Sequence, residues 1–210
     1  MLSLTSQPTV RPVQSASRAW FRLAVAAIGV GLISLLTNVT ALEQLSGADQ
    51  EFAAIRKTLT RLTNAGVLWA GVAFLGGWLV RRPAPAIIAG TAGLVIALVT
   101  HYGFASLTGL MPWTDLASNY LWFLSALLFG PPLGLIGACA RRTDGWGLLA
   151  RLIMPAGMII EPIYFRMLLP VPLDTWSNRV SAQVAGSILI MGGIVSATIV
   201  IRNWQAAPRS

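Results

Sequence analysis

Six apolar runs alternate along the chain with short polar stretches rich in arginine and proline, at about residues 18–41, 65–80, 85–107, 118–140, 152–169 and 182–201. At 1.5 Å per residue most of them can cross a hydrocarbon core of about 30 Å. The pattern predicts an all-α polytopic membrane bundle of six transmembrane helices. Two of the runs are interrupted: the fourth carries Gly130-Pro131-Pro132, and the fifth carries Pro155 and Pro162 around Glu161. Proline removes a backbone donor and clashes with the preceding turn, so these two helices are expected to be kinked or broken.

Between the first two runs, residues 43–64 are polar, with Phe52, Ile55, Leu59 and Leu62 at helical spacing and Arg56, Lys57 and Arg61 between them. An amphipathic segment at 50–63 follows, either lying on the membrane surface or solvated and packed on the loops. Residues 1–17 are Ser/Thr/Pro/Gln-rich and read as a disordered cytoplasmic tail, 18–202 as a single six-helix domain, and 203–210 as a short cytoplasmic tail. Val39-Thr40-Ala41 has the small-residue pattern of a signal-peptidase site, so removal of the first span is an alternative to its retention.

Composition strengthens the membrane reading. Apolar residues make up 55%, charged residues only 10%, and mean hydropathy is +0.70. A water-soluble domain carries about a quarter charged residues, so too few are present here to cover a water-facing surface. The net charge of +8 is spread singly or in pairs beside the apolar runs, which argues against nucleic acid as a partner and for membrane topology. Ten basic residues (Arg11, Arg18, Arg22, Arg81, Arg82, Arg141, Arg142, Arg151, Arg202, Arg209) flank the side that holds both termini, against five (Arg56, Lys57, Arg61, Arg166, Arg179) on the other. The positive-inside bias therefore places both termini in the cytoplasm, with the cell membrane as the location. Trp20, Trp78, Trp146 and Trp204 at the inner ends and Trp69, Trp113, Trp122 and Trp176 at the outer ends fit two interfacial belts.

Candidate chemistry is sparse. One cysteine, Cys139, excludes an internal disulfide, and one histidine with no paired metal motif argues against zinc or haem; no cofactor is expected. No phosphate loop, dinucleotide fingerprint or Gly-x-Ser-x-Gly elbow is present. Glu161 is the strongest candidate. It is the single acid well inside an apolar run, and a charged carboxylate at the bilayer centre costs on the order of 3 kcal/mol, so it should face the bundle interior. There it binds a solute or, alternatively, satisfies backbone donors left free by a kink. Candidate partners in a binding pocket are His101, Tyr102, Trp122, Tyr164 and Arg166, together with carbonyls freed at Gly130-Pro131. Gly130-x-x-x-Gly134 has a packing alternative, close approach of two helices, and Ala27/Gly31 and Ala182/Gly186 carry weaker signals of the same kind.

Asn64 ahead of a Trp-containing second span, His101-Tyr102, Trp122, Phe129-Gly130-Pro131 with Gly134, Arg141 and Glu161 together resemble a family of small bacterial multispanning membrane proteins of unknown function. The match covers roughly residues 60–165. The chain departs from it at Ile160, where glycine is usual, and in the second proline, Pro132. The resemblance implies that Glu161 and the Gly130-Pro131 break belong to one site. Three functions follow as expectations. The first is binding or transport of a small solute, on a chain that also resembles the six-span substrate-binding subunits of vitamin-uptake systems and so docks on a membrane partner or a second copy through small-residue faces. The second is an intramembrane enzyme acting on a lipid or isoprenoid with Glu161 and His101 as acid and base. The third is a structural scaffold.

Overall fold

The computed structural model describes residues 16–38, 50–169 and 174–207. Among these residues the chain forms helices and no strand: α1 (Ala16–Asn38), α2 (Gln50–Thr63), α3 (Gly66–Val80), α4 (Pro83–Leu107), α5 (Thr114–Ser118), α6 (Tyr120–Cys139), α7 (Gly145–Tyr164) and α8 (Trp176–Ala206). Six helical stretches are long and apolar enough to cross a membrane, the second being α2 and α3 taken together. Helices satisfy their own backbone groups, the condition that lipid imposes on any spanning segment. The protein is a multi-pass, all-α membrane protein.

Local chemistry sets the helix ends. Pro83 opens α4, a position where its missing N–H costs nothing. Asp144 caps α7 by accepting from the Gly147 amide, and Thr175 caps α8 by accepting from Asn178. Arg81 closes α3 with a left-handed backbone (φ 69°).

Small side chains fill the core, mostly alanine and glycine, while Phe21, Leu36, Leu128 and Ile188 point outward. This is the arrangement expected where lipid, equally apolar, gives no incentive to bury large side chains and close backbone approach supplies the cohesion. The tightest approach is among α3, α4 and α6. A Cβ on Gly77 would overlap the Gly134 carbonyl, one on Gly134 the Ala86 carbonyl, one on Gly90 the Gly130 carbonyl, and one on Gly137 the Phe74 carbonyl. The packing alternative for Gly130-x-x-x-Gly134 is thus the geometry observed. Gly31 of α1 meets the Ala97 carbonyl of α4 in the same way.

Several expectations shift. Helical structure runs unbroken through Pro131-Pro132 and through Pro155 and Pro162, so α6 and α7 are not broken helices. The break falls instead at Asn64-Ala65, where Ala65 is extended (φ −57°, ψ 131°). There the chain changes partners: α2 packs on α8 and α1, whereas α3 packs on α4, α6 and α1. Residues 50–63 are helical, but α2 does not lie flat. Lys57 donates to Ser177 (3.1 Å) and Arg61 to Ser181 (3.2 Å), so α2 and α8 run side by side in the same direction. Its basic face is turned inward and Phe52, Ile55 and Leu59 face outward. Residues 203–206, expected in a tail, continue α8, and Ala16-Ser17 already belong to α1. Residues 1–15 and the Val39-Thr40-Ala41 run lie outside the described residues.

Candidate functional site

The first amides of any helix lack intrahelical acceptors. At α3 these orphan donors arise in the middle of a membrane-spanning stretch, because the break at Asn64-Ala65 restarts the helix. Glu161 supplies the acceptors from α7. The Gly66 amide donates to Oε1 (2.7 Å) and the Val67 amide to Oε2 (2.9 Å). A carboxylate is the natural group here, since the N-terminal end of a helix carries partial positive charge. Of the two readings open for Glu161, satisfying freed backbone donors describes its bonds; the donors belong to α3 and not to a kink beside Pro162. Glu161 sits within the last turn of α7, which ends at Tyr164.

Polar side chains gather around the break. The Ser34 hydroxyl donates to Asn64 Oδ1 (2.6 Å), while Asn64 Nδ2 donates to Asn38 Oδ1 (2.7 Å) and to the Thr60 carbonyl (3.0 Å). The Thr37 and Thr63 hydroxyls pair at 2.7 Å, and Trp69 Nε1 donates to the Thr63 carbonyl (3.3 Å). These bonds partner several of the polar groups near the break, as a low-dielectric setting favours.

Beneath the break, between α3, α4, α6 and α7, lies a cavity of about 830 Å³. Its back wall is buried: Leu94 and Leu98 of α4, Ala126 of α6, and His101, which is only 5% exposed. Its front edges are open, with Trp122 59% and Tyr164 77% exposed. Asn38, Asn64, Glu161, His101 and Tyr102 line one end; Leu133, Ile153 and Met154 line the other. The His101 ring meets Trp69 and Tyr102 edge-on, at 6.2 and 4.8 Å between centroids. His101 Nδ1 is buried without a hydrogen-bond partner. A buried nitrogen left unpaired costs stability, and such atoms in native proteins ask for an explanation.

Of the residues singled out from sequence, Glu161, His101, Tyr102, Trp122 and Tyr164 all line this cavity. Gly130, Pro131 and Arg166 do not. Gly130 lies against Thr91 of α4, beside the strip of α6 that lines the cavity, and Phe129 and Leu133 are the residues of that segment that line it together with Glu161. Arg166 is the left-handed residue (φ 51°) of the turn after α7. Sequence reasoning missed Asn38, Gly66, Val67 and Trp69 as lining residues. The signal for Gly66 and Val67 was Asn64-Ala65-Gly66, a turn signature between two helical patterns.

No curated protein and no solved structure matches this chain. A model of DUF6518, described as a family of unknown function, matches residues 13–208, nearly the whole length, and the chain belongs to that family.

Proposed function

We propose that this protein binds a small ligand in the cavity between α3, α4, α6 and α7. The observation that carries the reading is a cavity of about 830 Å³ with mainly apolar walls and with Asn38, Asn64, Glu161, His101 and Tyr102 gathered at one end. Ligand sites are typically clefts of about 300–1,000 Å³ with mainly apolar walls and a few convergent polar groups, which is this cavity's make-up. Glu161 adds to it, because a carboxylate has about four acceptor sites and only two are taken by the α3 amides.

The cavity end with Asn38 and Glu161 faces away from the cytoplasm in this reading, and both chain ends face the cytoplasm of a cell-membrane protein. Supporting it, Arg81, Arg82, Arg141, Arg142 and Arg202 cluster at the helix ends opposite Asn38 and Tyr164. The test is native mass spectrometry of the protein released from nanodiscs. A bound mass retained by the wild type and lost in Ser125→Trp, which fills the mouth, is the expected result. A wild type that carries no bound mass overturns it.

A further inference from the structure

We infer that the ligand is a single-chain amphiphile whose head donates hydrogen bonds and carries no negative charge, taken laterally from the surrounding bilayer through the gap between α6 and α7. The inference rests on the binding reading above and names the ligand's class. Three observations carry it.

The first is the direction in which the cavity opens. Its back wall on α4 is buried, but Trp122 and Phe129 of α6 and Ile153, Ile160 and Tyr164 of α7 are exposed along helices that cross the membrane, so the mouth faces lipid. The second is a gradient of polarity. From Glu161 to Ile153 the α7 wall descends about 12 Å, from polar groups at a helix end to aliphatic groups alone. A head at the Asn64–Glu161 level and one chain running down toward Leu133 and Met154 follow that gradient. The volume lies within the range of about 300–1,000 Å³ usual for small ligands, so a two-chain lipid leaves a chain outside.

The third is the chemistry of the head site. The lining includes the Glu161 carboxylate and no lysine or arginine, which disfavours phosphate, sulfate and carboxylate heads. Each Glu161 oxygen accepts one α3 amide and keeps a further acceptor site. A head that donates a hydrogen bond and carries no negative charge, such as a hydroxyl, suits that lining.

The test uses the full-length protein in phosphatidylcholine nanodiscs with two photoreactive probes of the same chain, a monoacylglycerol and a lysophosphatidate, each with a diazirine near the chain end. The monoacylglycerol is expected to label peptides containing Ile153-Met154 or Leu133 at least tenfold more than the lysophosphatidate does. That labelling is expected to fall at least tenfold in Ser125→Trp, which fills the mouth. Equal labelling by both probes, or labelling spread over Leu36 and Ile188 and indifferent to Ser125→Trp, overturns the proposal. Native mass spectrometry of the same samples separates the two levels. A bound mass without a chain, lost in Ser125→Trp, ends the amphiphile proposal and keeps the binding reading; no bound mass at all ends both.

Discussion

The two faces of α6 meet their neighbours in opposite ways. Toward α3 and α4, Gly130, Gly134 and Gly137 bring backbone onto backbone, with carbonyl oxygens occupying the space where a Cβ would stand. Toward α7 the same helix presents Trp122, Ser125, Phe129 and Leu133 across an 830 Å³ gap. At the far end that gap is tied by the α6–α7 turn, where Arg142 Nε reaches both Asp144 oxygens (3.1 and 3.0 Å) and Arg151 donates to the Arg142 carbonyl (2.9 Å). At the near end, Glu161 holds α7 to the start of α3. The difference teaches that one helix serves as both keel and door frame: glycine removes every void on one face, and large aromatic and aliphatic side chains keep one open on the other.

The largest effect is expected on the closed face. Gly134→Ala places a methyl group on the Ala86 carbonyl, which only backbone movement relieves, so a loss of about 3 kcal/mol or more is expected in a detergent unfolding assay, with most protein failing to assemble. Next comes the clamp. Glu161→Gln offers one acceptor oxygen where two amides need one each, and is expected to cost about 1–3 kcal/mol and to shorten retention of the bound mass. His101→Phe sharpens the contrast, since it removes an unpaired buried nitrogen at nearly constant shape. The melting temperature of the ligand-free protein is expected to hold or rise while ligand retention falls.

Smaller still is the turn that ties the gap. Arg142 beside Asp144, with the Gly147 amide, holds the Asp144 carboxyl down at about 2 from an ordinary 3.8. A depressed carboxyl stabilises the fold above its unfolded value and loses that contribution as pH falls through its folded value. The stability difference between wild type and Asp144→Asn is therefore expected to be present above about pH 4 and to vanish between pH 4 and pH 2, small throughout because both partners are solvent-exposed. Gly66→Ala should do least: its new methyl would stand 3.7 Å from the Glu161 oxygens, ordinary contact, and a melting-temperature shift within about 0.5 kcal/mol is expected.

Hydropathy alone revealed the spans, because lipid enforces continuous apolar runs whose ends charges and prolines mark. Glu161, His101, Tyr102, Trp122 and Tyr164 stood out because polar and aromatic groups are scarce within those runs. Proline did not mark the point where a helix stops. Pro131, Pro132, Pro155 and Pro162 are absorbed within continuous helices, while the helix stops at Asn64-Ala65, where composition changes from polar to apolar and a loop boundary was the natural reading. The fate of Gly130 was illegible for another reason. Spacing shows that two glycines share a helix face, yet which neighbour that face meets depends on the arrangement of the whole bundle. Likewise no local pattern says that an acid at 161 caps amides at 66 and 67, a contact spanning 95 residues.

The most direct test is an experimental structure of the protein crystallised from a lipidic phase. Extra elongated density in the cavity within hydrogen-bond distance of Glu161, with the Gly66 and Val67 amides still on the carboxylate, is the predicted result. A collapsed gap between α6 and α7, with Glu161 bonded to protein alone, would contradict it.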